Sequence, residues 1–510
     1  MNNIKSVVSK CIAIIGLISF GWAIVSLLFF PRIHGIYGLY RMSKPTSTII
    51  LLNVLSMCAV VFIYFFFYKI YKKKYFNNLS MKQTMAALIV VTFIFICLYI
   101  LIINYFQVIR VVDDSQSVYK IAKDLYLNKA VDTSYLYVYP QNLFLLRFYI
   151  FVFSIFGPSA MSLVYSFLAI YVLSVFVTFF TLKNLNVSNC IALILSTSMY
   201  VWVQAVFHIS VAYTDILLIF FLDLCLFFLS LYFKKQQIIW LVATSIMILL
   251  AFLSKGTALI FFIAVVMFLL IFNKKQQKIH FLIPIAIFLI GNFAWNYSVS
   301  NSKLFSDDNY GMPNTSWILL GSSDNYTDGS NENWRLIGVY NDKDFAYSEH
   351  LMMGKHLNKK EIEKKQMNVV KNRLIKLSAK EWLNFLNLKI AGTWSSGDIK
   401  STADFSSSLD TRGWKRFFDF THGKKGLILY MIMQIIQLSV YSAMLLGFVK
   451  LFRRNGDGLY ALISLYSIGY FAFLLIWEAN PRYSLGIFPI AILLLAYISM
   501  KEKNLDTKSH

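Results

Sequence analysis

The amino-acid sequence predicts an all-α polytopic membrane protein, on three observations. Of its 510 residues 58% are hydrophobic and only 14% charged, at a mean hydropathy of +0.61. Soluble domains do not have that balance; a chain built into a bilayer does. Twelve apolar runs are long enough to cross, at about 11–30, 49–68, 86–106, 159–181, 190–208, 214–233, 238–253, 257–272, 279–298, 427–451, 458–477 and 483–500. Aromatic residues make up 17%, mostly Phe and Tyr, which suits lipid-facing and interfacial surfaces.

The first run, 11–30, is too long for a signal h-region and lacks a small-residue cleavage site, so it reads as a retained span. The runs at 238–253 and 257–272 are short and share a tight turn at "SKG". The run "NLFLLRFYIFVFSIFG" (142–157) is too short to span and carries Arg147, so it is expected to lie in or dip into the outer interface.

Lysine and arginine counts in short loops orient the spans. With a cytoplasmic N-terminus, the inner segments hold nineteen: Lys5, Lys10, Lys69, Lys72, Lys73, Lys74, Lys82, Lys183, Lys234, Lys235, Lys274, Lys275, Lys278, Lys450, Arg453, Arg454, Lys501, Lys503 and Lys508. The outer short loops hold five: Arg32, Arg41, Lys44, Lys255 and Arg482. Both termini are therefore expected inside. Counting 142–157 as a span would turn the clusters at 234–235, 274–278 and 453–454 outward.

The net charge of +23 has the same origin, lysines facing anionic lipid, and its scatter between spans excludes a nucleic-acid footprint. The five cysteines (Cys11, Cys58, Cys97, Cys190, Cys225) lie in or beside apolar runs and give neither a disulfide framework nor metal-ligand spacing.

The unusual polar residues then fall on the outer side. The loop 107–142 opens with Asp113-Asp114 and continues as an amphipathic helix with Val118, Ile121, Ala122 and Leu125 on one face. "TSYLYVYPQN" follows, with Tyr139 just before Pro140. His208, Tyr213, Thr214 and Asp215 stand at a span end, Lys255 in the "SKG" turn, and Glu478, Arg482 and Tyr483 in "WEANPRYS". The long segment 299–425 is hydrophilic, with turn signals "YGMPNTS" and "NYTDGSNEN". Its second half is helical in pattern, and it is long enough for a small core of its own.

Acids, cations and tyrosines gathered at outer span ends suit a reaction on a lipid-anchored phosphate. A partly desolvated carboxylate can deprotonate an acceptor hydroxyl. Lys and Arg can stabilise a departing phosphate. The Asp113-Asp114 doublet could also hold a divalent metal ion, a weak donor set for one.

An outer loop that begins with "VVDDSQ" resembles the GT-C glycosyltransferases, polytopic enzymes that use polyprenyl-phosphate sugars. The order of "VVDDSQ", "YPQNLFLLRFYIFVFSIFG", Thr214-Asp215, "LSKGTALI" and "NPRYS" is similar to bacterial relatives of protein O-mannosyltransferases and aminoarabinose transferases (glycosyltransferase family 39-like). "TSWILLGSSDNYTDGSNENWRLIGVYNDKD" and "KNRLIKLSAKEWLNFLNLKIAGTWSSGD" look like the outer loop of Gram-positive members. Two features depart from that pattern: two extra spans precede the acids, and the residue after them is Ser115.

The resemblance implies a GT-C fold of about 12 transmembrane helices with an extracytoplasmic α or α+β segment. Residues 1–85 would be two N-terminal spans, 86–298 the membrane core with its catalytic outer loop at 107–158, 299–425 the extracytoplasmic domain, and 426–510 the C-terminal spans. It implies a multi-pass protein of the cell membrane whose active site is extracytoplasmic. Asp113 matches the catalytic base and Asp215 a second acid near the site. Lys255 and Arg482 are candidates for the lipid phosphate on physical grounds, with Tyr483, Glu478 and Tyr139 as further substrate-binding candidates.

Each residue also has a bland account. The acid doublet could be a solvated helix end, though like charges abutting a span are costly to keep without use. Asp215 could cap the next span. Asp223, about two turns deeper, reads as a buried contact between helices. Lys255 could snorkel to headgroups, Arg482 and Glu478 could pair with each other, and His208 reads as a hydrogen-bonded interfacial residue.

The expectation is an inverting hexosyl or pentosyl transferase. It would move sugar from an outer-leaflet polyprenyl-phosphate donor to a cell-envelope acceptor: a polymer, a glycolipid or a protein. Two alternatives rank lower. A wall-polysaccharide polymerase would want functional arginines in the outer loop, which holds only Arg335, Arg373, Arg412 and Arg416. A lipid-linked sugar flippase would want polar residues along the midplane and inverted repeats.

Overall fold

Apolar runs of this length leave backbone groups no partner but their own helix. In the computed structural model they form α1 (Asn2–Phe29), α2 (Ser47–Lys72) and α3 (Met81–Tyr105). The start of α3 is written into "SMKQ". Ser80 Oγ accepts from the Gln83 amide at 3.2 Å, and the Gln83 side chain accepts from the Ser80 amide at 2.9 Å, a reciprocal cap. The chain then makes α4 (Asp114–Tyr126), α5 (Ser134–Val138) and α6 (Leu143–Phe156). The buried face of α4 carries Val118, Ile121 and Ala122, with Leu125 packed beside them, the face expected from spacing.

The membrane core continues through α7 (Ala160–Asn184), α8 (Asn189–Thr197), α9 (Val203–Val211), α10 (Thr214–Lys235), α11 (Ile238–Ser254), α12 (Leu259–Phe272) and α13 (Leu282–Ser300). Next come α14 (Thr315–Gly321), α15 (Asp342–Glu349), α16 (Lys359–Leu374), α17 (Ala379–Trp394), α18 (Ser401–Ser407) and α19 (Thr411–Thr421). The chain closes with α20 (Gly423–Arg454), α21 (Gly458–Ile476) and α22 (Phe488–Ser499). The structure describes residues 2–31, 47–72, 79–273, 275–302, 304–305, 310–323, 337–354, 357–454 and 458–499. Among the described residues there is no strand. Of the residues used above for orientation and turns, Arg32, Arg41, Lys44, Lys73, Lys74, Lys274, Arg335, Lys501, Lys503, Lys508 and the turn "NYTDGSNEN" lie outside them.

The protein is thus all-α and polytopic. Nine helices among the described residues are long and apolar enough to cross a membrane. A tenth crossing comes from residues 189–211 if this pair, bent by 56°, is one broken span. The sequence count of twelve is higher because it also takes 238–253 and 257–272 as spans. Those stretches form Ile238–Ser254 and Gly256–Phe272, apolar helices of the shorter class, as does Pro140–Phe156.

Two packing features position the site. First, α1 and α2 brace the C-terminal half. Phe20 meets Trp394 edge-on at 5.8 Å and stacks on Phe448 at 5.8 Å. Buried Asn53 accepts hydrogen bonds from Tyr430 and Gln434 of α20, at 2.7 and 2.8 Å. Second, the hydrophilic segment 299–425 does not pack as one unit. Ile390, Trp394, Ile399, Phe405 and Phe417 join the main core. Met312, Leu351, Met352 and Ile362 form a small second core with Val138 from the first loop.

Candidate active site

The acid doublet lies where the chain leaves α3. Residues 107–110 pair with the end of α18: the Ile109 amide donates to Ser408 O at 3.0 Å and the Asp410 amide to Gln107 O at 3.1 Å. Asp113 then adopts φ 52°, ψ −133° and makes no side-chain cap. Such a conformation costs an L-residue about 1–3 kcal/mol and persists only where its surroundings impose it. Ser115, the position that departs from the family pattern, helps to impose it. Its buried hydroxyl lies 2.7 Å from the Val211 carbonyl, to which it can donate, and accepts from the Val112 amide at 3.2 Å. The next residue after Val211, Ala212, is itself left-handed at φ 51° and receives the Tyr149 hydroxyl on its carbonyl.

Asp215 sits in the first turn of α10, but Tyr213 occupies the cap position, so capping is not its role. Its buried carboxylate accepts from Lys255 Nζ. Arg482 Nε lies 3.5 Å from the other oxygen, Oδ2. Tyrosine rings flank both cations. Lys255 Nζ stands 5.0 Å from the centre of the Tyr483 ring, and the Arg482 guanidinium 5.0 Å from that of Tyr213.

A second buried acid, Asp404 of α18, completes the cluster. Arg482 Nη1 is 3.8 Å from its Oδ2, His208 Nε2 is 3.6 Å from the same oxygen, and Lys400 Nζ is 3.4 Å from Oδ1. Lys400 Nζ also lies 3.7 Å from Asp113 Oδ2. A continuous chain of ion pairs therefore runs from Asp113 through Lys400, Asp404, Arg482 and Asp215 to Lys255. Its Asp113–Lys400 end is open, with side chains 45% and 34% exposed; Asp215 and Asp404 are 2% exposed. His208 Nδ1 is 2.8 Å from the Gln204 carbonyl, which can only accept, so Nδ1 carries a proton.

The stretch "SSGDIKSTADF" is shaped to present Lys400. Asp398 accepts from Ser396 and Thr402, each at 2.6 Å, and Gln204 holds the Gly397 carbonyl at 2.8 Å. Ile399 and Lys400 are both left-handed, at φ 45° and 66°. A Cβ at Gly397 would stand 2.2 Å from Gln434 Oε1 and would force that side chain to shift.

Of the expected site residues, the structure brings Asp113, Asp215, Lys255, Arg482 and Tyr483 together. Asp114 lies beside them, facing the tyrosines. Burial, followed by Asp114 among the neighbouring charges, pushes the phenols of Tyr139 and Tyr213 up. Tyr139 also stacks on Phe345, 6.3 Å between centroids. Glu478 is buried, and Tyr483 OH donates to its Oε2 at 3.5 Å. Burial pushes Glu478 up to about 7, opposed by Arg482 and Lys389. Lys389 is likewise lowered to about 7 by burial and donates to the Trp477 carbonyl. Asp223 lies buried opposite Ser174 and Thr178, a contact between helices.

The residues do not fit a metal centre. Asp113 and Asp114 offer two carboxylates, one already facing Lys400, and among the described residues no group of three or more His, Cys, Asp or Glu could hold an ion.

Sequence reasoning missed Asp404 and Lys400 and gave His208 only its bland account. The available signal was Lys400 and Asp404 spaced i, i+4 beside a Gly-Asp turn, inside the hydrophilic stretch read as the extracytoplasmic domain.

The family described as dolichyl-phosphate-mannose-protein mannosyltransferase matches residues 143–297, from α6 to α13. The chain is similar to the GT-C membrane glycosyltransferases. The match covers under a third of the chain; it contains Asp215 and Lys255 and stops short of Asp113 on one side and Arg482 on the other. It indicates a multi-pass membrane glycosyltransferase that works with a lipid-linked donor. No curated protein and no solved structure matches the chain.

Proposed function

We propose that this GT-C-like protein is an inverting glycosyltransferase moving a sugar from an outer-leaflet polyprenyl phosphate to a hydroxyl of a cell-envelope acceptor: a polymer, a glycolipid or a protein. The observation that carries this reading is the ion-pair chain from Asp113 to Lys255, assembled from five separate stretches of sequence at one end of the bundle.

Asp113, at the open end, takes the proton from the acceptor hydroxyl. The acceptor oxygen attacks the anomeric carbon from the face opposite the phosphate. The carbon–oxygen bond to the phosphate breaks, its electron pair stays on the phosphate oxygen, and the configuration inverts. Lys255, Arg482 and Lys400 stabilise the departing charge. Asp215 and Asp404 are positioning residues that aim those cations, and Asp114 acts on the tyrosines around Tyr139.

Chain direction supports an extracytoplasmic site. Helix α10 runs from Asp215 at the site to Lys234 and Lys235 at the far end, and α3 runs from Lys82 at the far end to the loop bearing Asp113. Lys5 donates to the Phe272 carbonyl, at the end of α12 remote from Lys255. The lysine-rich end is the cytoplasmic one by the positive-inside rule, which puts the site and both termini on opposite sides.

The test is Asp113→Asn, assayed with a polyprenyl-phosphate sugar and with envelope extracts from a deletion strain as acceptor. The variant is expected to accumulate normally and lose transfer. Full activity would remove Asp113 as the base. Mass spectrometry of the deletion strain's envelope is expected to show one missing sugar decoration.

A further inference from the structure

We propose that α19 is an interfacial anchor that lies in the headgroup layer on the site's side of the membrane and holds the phosphates of anionic lipids. Its sequence, "TRGWKRFFDFT", divides into faces. Gly413, Phe417 and Thr421 repeat every four residues and face the protein. Gly413 abuts the end of α3 so closely that a Cβ would stand 1.7 Å from the Phe106 carbonyl oxygen. Phe417 meets the Phe106 ring edge-on at 5.3 Å. The rest of the helix is open: Trp414 is 50% exposed with exposed Phe418 one turn on beside it, and Phe420, also exposed, flanks the other edge of the buried stripe near Phe106. Three large aromatics exposed on eleven residues are costly in water and ordinary at a bilayer surface.

Two observations say what covers them. The first is continuity with the lipid-facing surface of two spans. Helix α19 joins α20 through Gly423, and α20 exposes Ile428 and Ile432; it seats on α3, which exposes Leu98, Leu101 and Tyr105. The Arg416 guanidinium ties the two together, donating to the Tyr105 carbonyl at 2.7 Å with that ring 5.2 Å away. The second is charge. Arg412, Lys415, Arg416, Lys424 and Lys425 are exposed around the aromatic face, against Asp419 alone among the exposed acids of the helix. Amphipathic helices with basic flanks and a Trp/Phe face bind this layer through apolar insertion and lipid phosphate together. Asp410 caps α19, three residues beyond α18 with its Asp404, and Phe405 of α18 packs on Phe417 of α19 at 5.1 Å.

The proposal does not depend on glycosyl transfer, and neither does its test. The full-length protein, with its five cysteines changed to serine, is labelled with a fluorophore at Phe418→Cys or, as a control far along the hydrophilic segment, at Lys364→Cys. Both are placed in phosphatidylcholine nanodiscs containing lipid brominated near the headgroup end of its chains. Quenching several times stronger at 418 than at 364 is expected. Equal quenching, or a label at 418 shielded from both water and bromolipid, would overturn the proposal, the latter by pointing to a protein partner. The second measurement needs no cysteine change. Native mass spectrometry of the chain from an equal mixture of phosphatidylcholine and phosphatidylglycerol is expected to show retained phosphatidylglycerol. Its preference should fall about fivefold for each cation removed in Arg412→Gln and Lys415→Gln. An unchanged preference in the double variant would overturn the phosphate contact.

Discussion

Two arginines in this molecule hold buried carboxylates in different ways. In the hydrophilic segment, Arg373 of α16 grips Asp344 of α15 through both guanidinium arms, at 2.6 and 3.0 Å, and its Nη1 also donates to the Leu319 carbonyl at 3.1 Å. Asn341 completes that lock by donating to Asp344 Oδ2 at 3.1 Å and accepting from the Asp344 amide at 2.9 Å. Arg482 is more deeply buried, yet it stands 3.5 and 3.8 Å from Asp215 and Asp404. Arg482 Nε, Asp215 Oδ2, Asp404 Oδ2 and His208 Nε2 form no hydrogen bond among the described residues. Buried polar atoms are ordinarily satisfied, so four slack ones facing each other mark a place where stability has been given up. The first arginine closes a structural joint. The second retains donor capacity that an incoming anion can take up.

The contrast can be broken at its strongest point. Asp113→Asn is expected to lower transfer by about 10²–10⁴, the usual worth of a positioned base, with the thermal midpoint unchanged. A matching drop in thermal midpoint would make Asp113 structural. Next, Arg482→Met removes the cation shared by two buried carboxylates, leaving Asp215 with Lys255 alone and Asp404 with Lys400 and His208. It should destabilise the fold by about 3–5 kcal/mol and abolish transfer. Adding Asp404→Asn should restore part of the stability and none of the transfer; recovered transfer would count against Arg482 as a phosphate ligand.

Arg373→Met sharpens the other side. Its pair is only partly buried, so the loss should be about 2–3 kcal/mol, between exposed and buried pairs, with transfer per folded molecule near wild type. Glu478 gives an effect that depends on pH. Its folded value of about 7 lies above the ordinary 4.5, so the folded chain keeps a proton that the unfolded chain releases. That contribution is complete below pH 4.5 and is lost as pH rises to 7. Glu478→Gln should flatten thermal stability across that window, and an unaltered pH profile would show that Glu478 is not the titrating group.

Much of this was legible in the sequence, for reasons that particular residues make plain. Apolar runs must be helices in lipid, and acids or cations at their ends must be explained, so Asp113, Asp215, Lys255 and Arg482 stood out. The amphipathic face of α4 followed from spacing alone. Asp404 and Lys400 did not stand out, because they lie among many charges in a hydrophilic stretch. Only tertiary packing, through Trp394, Phe405 and Phe417, carries that stretch back onto the spans. Helix length and composition alone return nine or ten of the twelve spans among the described residues, because 238–254 and 256–272 are short and 189–211 is bent. Residues 1–85 did not announce their part, since Asn53 and Phe20 acquire it only against α20 and α17.

The central claim is that one slack cluster of charges receives a lipid phosphate at its cations and an acceptor at Asp113. A cryo-electron microscopy structure of the protein with a bound polyprenyl-phosphate sugar tests it most directly. The account predicts the phosphate in hydrogen-bond contact with Lys255, Arg482 or Lys400, with the anomeric carbon turned toward Asp113. A phosphate bound at the lysine-rich far end of the bundle, or at this end but out of reach of all three cations, would contradict it.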